Sequence, residues 1–198
     1  MLHLVIGGSA SGKSEYAESQ AVAYAQPQVA CPDSKPMAAG SRLYYVAAMK
    51  PYGEEAQKRI ARHRKLRQGK GFETLERYTD LAGLCTEKPE LAGQTVLVEC
   101  LSNLTANEIF EPEGAGPENA EEAIVDGVRK LADLAGNLIV VSLDVFGEGR
   151  VDGEAADAGI SEDMTDVYIR VLGRVNARLA QMADQVTEVV YSIPVRQK

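Results

Sequence analysis

Three groups of side chains in this sequence stand where they could handle phosphate. Lys13 and Ser14 close the run Gly7-Gly8-Ser9-Ala10-Ser11-Gly12-Lys13-Ser14, His63 sits inside the basic stretch KRIARHRKLR, and Glu99 ends the apolar run VLVE. The first fits G-x-x-x-x-G-K-[ST], placed after a strand-like run and before a helical one, which is the context that motif requires. Glycines let successive backbone N–H groups turn inward onto phosphate oxygens, and the following helix adds its positive N-terminal end. Lys13 then reaches the β- and γ-phosphates of a nucleoside triphosphate and the Ser14 hydroxyl ligates Mg²⁺. A plain glycine-rich turn is the competing reading, and the complete motif in the correct place argues against it.

The stretch from Lys58 to Arg67 carries six Lys or Arg side chains and no acid. A solvated helix face is the ordinary meaning of a charge run. Helical spacing nevertheless lines up Arg59, His63 and Arg67 at intervals of four. From the residues alone, His63 is a solvated group, a hydrogen-bond partner for phosphate, or a nucleophile whose neutral nitrogen attacks phosphorus. Glu99 is expected at the carboxyl edge of a sheet, where ligands of open α/β folds bind. It either holds Mg²⁺, directly or through water, or caps the helix that follows. Asp144 is a second acid placed by the same logic, and His3, inside the first strand, reads as structural.

The elements that must position these groups alternate. Strands are expected at Leu2–Ile6, Leu43–Ala47, Thr95–Val98, Leu138–Leu143 and Glu188–Ser192, near-continuously apolar as in parallel strands covered on both faces. Helices are expected at Ser14–Ala25, Glu54–Arg67, Leu101–Ile109, Ala120–Leu134 and Asp163–Ala183. Such alternation predicts a doubly wound α/β sheet, and 198 residues suit a single domain over 1–198. Gln26–Ser41, Glu111–Asn119 and Phe146–Ser161 read as surface loops, the last as a lid or a disordered connection.

With 21 Lys and Arg against 29 Asp and Glu, the net charge is -8, so the long-range field repels nucleic acid and anionic membrane. Any phosphate ligand must be captured by a local site. Three scattered cysteines (Cys31, Cys85, Cys100) suggest neither a disulfide framework nor a zinc cage, and with no export signal or span the expected location is the cytoplasm.

GGSASGKSEYAE, YVAA, EEAQKRIARHRKLR, FETLE, VLVEC-L-x-N-L-x-x-N and GRVNARLAQMADQVTEVVYSIP, in this order from Met1 to about Pro194, resemble the bifunctional adenosylcobinamide kinase / adenosylcobinamide-phosphate guanylyltransferases of cobalamin assembly. The resemblance implies a P-loop NTPase-type (RecA-like), mostly parallel sheet with helices on both faces, and a homotrimer. It implies phosphorylation of adenosylcobinamide with ATP or GTP, then transfer of GMP from GTP through a guanylylated histidine, here His63. It assigns nucleotide contacts to the loop residues, to Arg64, Lys65, Leu66 and Arg67, to Glu76 and to Glu99, with Lys13, His63 and Glu99 catalytic and Ser14 and Glu99 on Mg²⁺.

This sequence departs from the family pattern in four places. Phe72 stands for a tryptophan, Ala48-Met49 for a more polar pair, Leu143–Gly149 for a proline-ended glycine motif, and Arg170 for an aspartate. Two other readings stay open: a P-loop small-molecule kinase without guanylyl transfer, and a regulatory nucleotide-binding module without turnover.

Overall fold

The computed structural model describes residues 1–26, 41–144 and 164–198. Cys31, the segment 145–149, the start of the helix expected from Asp163, the loop expected at Phe146–Ser161 and nearly all of that at Gln26–Ser41 lie outside the described residues.

Seven strands form one sheet: β1 (Leu2–Gly7), β2 (Leu43–Ala47), β3 (Phe72–Glu76), β4 (Thr95–Glu99), β5 (Asn137–Leu143), β6 (Gln185–Val190) and β7 (Ile193–Arg196). Their order is β3-β2-β4-β5-β1-β6-β7, every pairing parallel except β6 with β7. The main helices among the described residues are α1 (Lys13–Ala25), α2 (Gly53–Arg67), α3 (Leu81–Glu87), α4 (Leu101–Phe110), α5 (Ala120–Leu134) and α6 (Met164–Met182), with a short turn of 3₁₀ helix at Pro89–Leu91. This is the α/β P-loop-type architecture, mostly parallel with helices on both faces.

The two faces are built differently. Leu4, Tyr44, Val46, Val96, Val98, Leu138 and Val140 point to one side, where α3 to α6 bring Leu84, Leu104, Ile124, Val128, Leu172 and Val175 into a continuous core. The opposite face presents Val5, Leu43, Tyr45, Leu97, Ile139 and Val141, and α1 settles on it through Ala17 and Ala21. Small side chains let that helix approach the sheet closely, which fixes the loop that precedes it. The apolar stripes of α5 and α6 recur at spacings of three and four, as amphipathic helices require.

The differences from the sequence expectation are local. Strand β3 is mostly exposed on a sheet edge, with only Phe72 and Leu75 half-buried, and lacks the apolar run that marks a buried strand. Helix α3 has seven residues, too few for a periodic signal, and is started by Asp80, whose carboxylate accepts from the Gly83 amide. The last strand begins and ends earlier than Glu188–Ser192: Tyr191 and Ser192 take positive φ of 49° and 63° and form the turn into exposed, antiparallel β7. Among the described residues no helix is long and apolar enough to cross a membrane.

His3 is structural, as expected. It is buried in β1, with Nε2 2.9 Å from Thr187 Oγ1 and Nδ1 3.1 Å from the Tyr24 hydroxyl. Burial, helped by the Arg196 charge, pushes it down from 6.5 to about 4. Between those pH values the unfolded chain binds a proton that the folded chain refuses, so stability is present above about pH 6.5 and falls as pH drops toward 4. The expected loss is on the order of 3 kcal/mol. Urea denaturation across this range should show the acid slope flattened in His3→Gln; identical slopes would place the effect elsewhere.

Candidate functional site: a phosphate loop and a histidine helix sharing one cleft

Strand β1 runs into the glycine loop at the carboxyl edge of the sheet. At Gly7 a side chain would come 2.5 Å from the Val189 carbonyl oxygen, so the residue must be glycine for the strands to pack. Gly12 has φ +90° and opens α1 without a side-chain cap, leaving first-turn N–H groups directed at the loop mouth. The Lys13 ammonium donates to the Gly8 carbonyl at 2.8 Å, and the Ser192 amide donates to the Ser11 carbonyl at 2.7 Å, tying the β6–β7 turn to the loop.

A cleft of about 1180 Å³ opens above this edge. Its walls include Ser9 to Glu15 from the loop and α1, Arg59, His63, Arg64, Leu66 and Arg67 from α2, and Glu76, Tyr78 and Glu99 from the strand ends. Gly7, Gly8 and Lys65 do not line it; Lys65 faces a neighbouring hollow of about 650 Å³ beside Gln68 and Phe72. Helix α2 is mostly polar, and among its described side chains Arg67 is the one that is buried.

Register explains the acids. Glu76, Ala47, Glu99 and Val141 are aligned across β3, β2, β4 and β5, so the two glutamates end strands on either side of β2 in one row. Glu76 is half-exposed and accepts from Arg64 at 3.0 Å and from the Tyr78 hydroxyl at 2.9 Å. Glu99 is buried, accepting at Oε2 from the Tyr45 hydroxyl at 3.1 Å, while its Oε1 lies 3.6 Å from His63 Nδ1. It does not cap α4, whose start has no side-chain cap. The Arg67 guanidinium lies 3.4 Å over the Tyr45 ring, and Phe72 meets the same ring edge-on at 6.2 Å.

Electrostatics keep this arrangement in one state. Burial and the adjacent Glu99 carboxylate push the Tyr45 phenol far up, so it remains a donor. Burial also raises the Cys100 thiol, beside the Ser102 hydroxyl and the Asn103 amide, which leaves it a poor nucleophile. Three buried polar atoms on the cleft wall have no hydrogen-bond partner: Ser11 Oγ, His63 Nδ1 and an Arg67 guanidinium nitrogen. The Ser11 hydroxyl and the Arg67 guanidinium, donors left unpaired on one wall, suit an anionic ligand, while His63 Nδ1 faces the Glu99 carboxylate.

Several members of the site carry no sequence signal of their own. Tyr45 is hidden in an apolar strand, and the buried Glu18 pairs with the partly exposed Lys70 at 2.6 Å between α1 and the turn after α2. Only the 3.6-residue period of α1, which puts Glu18 one turn beyond Ser14, could have pointed to the former.

Comparison with known proteins places this geometry in context. A family model described as cobinamide kinase / cobinamide phosphate guanyltransferase (CobU) matches residues 3–197. The bifunctional adenosylcobalamin biosynthesis protein CobP of Pseudomonas aeruginosa is 28% identical over 196 residues, covering 98% of this chain and 96% of its own. The bifunctional adenosylcobalamin biosynthesis protein CobU of Escherichia coli K12 is 26% identical over 207 residues, with both chains fully covered.

The loop geometry makes a direct prediction. A methyl group at position 12 would meet Ser192 Oγ at 2.5 Å on a backbone with positive φ. Gly12→Ala should therefore lower stability by about 1–3 kcal/mol and weaken nucleotide binding, as read by urea denaturation and nucleotide titration. Unchanged affinity would mean the loop does not hold the phosphates.

Proposed function

The chain belongs to the cobinamide kinase / cobinamide phosphate guanyltransferase family, and on that premise we propose that it phosphorylates adenosylcobinamide with a nucleoside triphosphate and then transfers GMP from GTP to adenosylcobinamide phosphate. The observation that carries this reading is that His63 and the phosphate loop face the same cleft, with His63 Nδ1 backed by Glu99. Nδ1 is turned inward and Nε2 is the nitrogen left for the substrate side. Its lone pair attacks the α-phosphorus of GTP, the N–P bond forms, and the bond to the pyrophosphate oxygen breaks. A phosphate oxygen of the corrinoid then attacks the same phosphorus, the N–P electrons return to the ring, and adenosylcobinamide-GDP leaves.

The side chains around the ring have distinct tasks. Glu99 orients the imidazole and stabilises the positive charge the ring gains when the adduct forms. Arg64 and Arg67 offset charge on the phosphates; Arg67, held flat on Tyr45, is pre-aimed. Lys13 leaves the Gly8 carbonyl for the β- and γ-phosphates. Glu76 serves the guanosine end.

Oxygen donors suit Mg²⁺, and the cleft offers the Ser14 hydroxyl and the Glu99 carboxylate. Both Glu99 oxygens already face protein groups, so Ser14 would be the direct ligand and Glu99 would act through water. When bound, the ion supplies charge neutralisation at the phosphates.

Incubation with GTP and Mg²⁺ should raise the intact mass of the protein by one acid-labile guanylyl group, and His63→Ala should abolish the adduct. Consumption of ATP with cobinamide but no adduct would leave only the kinase half.

A further inference from the structure

Glu18 has no part in the reading above, yet it is one of the most deeply buried charged groups, 1% exposed. It lies on α1 four residues after Ser14, on the same stripe of the helix. Its Oε2 accepts from Lys70 Nζ at 2.6 Å, and Lys70 belongs to the turn that ends α2, its amide bonded to the Arg67 carbonyl at 3.0 Å. One oxygen of Glu18, one of Glu99 and one ring nitrogen of His63 lie within 4.8 Å of one another. A metal ion could draw three such donors together only by closing them to about 2 Å from itself and displacing the ammonium. The arrangement is already compensated by Lys70.

Resting on the guanylyl-transfer reading, we propose that Glu18 is a second positioning carboxylate for His63. Glu99, 3.6 Å from Nδ1, holds the ring proton there so that Nε2 is the attacking nitrogen; Glu18, within 4.8 Å but beyond hydrogen-bond distance, adds to the same field, and Lys70 offsets the Glu18 charge that would otherwise repel the triphosphate. As the N–P bond forms and pyrophosphate departs with the electrons of the broken P–O bond, the ring keeps its Nδ1 proton and becomes cationic beside the Glu99 carboxylate, with that of Glu18 nearby. When the acceptor phosphate takes the guanylyl group, the N–P electrons return and the ring is neutral again. The same ion pair fastens the end of α2 to the helix that carries the phosphate loop.

The two members of the pair should therefore fail in different ways. In single-turnover formation of the protein–GMP adduct, Glu18→Gln should slow the step at saturating GTP by about ten- to a hundredfold, with the half-saturating GTP concentration moved by less than about threefold. Lys70→Met should mainly raise the half-saturating concentration, because it leaves an uncompensated carboxylate beside the anion. The Glu18→Gln/Lys70→Met double variant should recover GTP affinity but not rate, and Glu18→Asp should recover part of the rate. Thermal melts report folding, and the double variant serves if either single variant does not fold. Phosphorus NMR of the denatured wild-type adduct should show attachment at Nε2 alone, with the Nδ1 isomer appearing in Glu18→Gln.

A wild-type rate in Glu18→Gln, or a wild-type adduct on Nδ1, overturns the role of Glu18 while leaving the proposed function standing. No adduct on the wild-type protein overturns both. Stoichiometric Zn²⁺ binding to the wild type, lost in both Glu18→Gln and His63→Ala, assigns the three residues to a metal ion and overturns the positioning role.

Discussion

The site depends on a helix, α2, that has no fully buried apolar side chain among its described residues with which to hold on. Amphipathic helices dock by burying a stripe of hydrocarbon, but among the described side chains of α2 the buried one is an arginine. Arg67 lies on the Tyr45 ring, the Tyr45 hydroxyl bonds Glu99, and Glu99 faces His63, so one chain of polar contacts joins helix to sheet. A desolvated guanidinium over an aromatic face contributes about 2 kcal/mol, modest beside the cost of burying its charge. Arg67 and Glu99 meet through Tyr45, the guanidinium on the face of its ring and the carboxylate at its hydroxyl, so the phenol holds both charged groups at the edge of the cleft.

This dependence explains the contrast between the two faces of the sheet. One is closed by four helices over a continuous apolar core that leaves little freedom to move. The other carries α1 and, beyond it, the cleft. The rigid side holds β1, β2, β4 and β5 in register, and register alone puts Glu76 and Glu99 in one row beside the loop. A polar helix placed over that edge can exchange protein contacts for phosphate contacts at little cost, since both are charge-assisted hydrogen bonds. An apolar docking surface could not do so.

The charge of the protein fits the same logic. A net charge of -8 repels polyanions at long range, so affinity for a nucleotide must be generated within a few ångströms. Uncapped N–H groups at the start of α1, Lys13, and the cations of α2 converge on one cleft. Glu18 and Lys70 add a neutral pair rather than net charge. That is the form in which a buried carboxylate can stand near a phosphate site without opposing it.

The amino-acid sequence by itself determined the alternating α/β pattern, the phosphate loop and the basic run around His63, because these are encoded in residue type and spacing over short stretches. It also marked the strand end at Glu99, where an apolar run meets a charge. Edge strands β3 and β7 escaped, since a half-exposed strand needs neither a continuous apolar run nor a fixed pattern. So did Tyr45, Glu18 and Lys70, whose roles come from pairings between residues far apart in the chain. Only the tertiary structure decided that Glu99 faces an imidazole instead of capping a helix, and that Arg67 is buried instead of solvated. Both outcomes turn on desolvation and on register between strands, and neither is a property of any local segment.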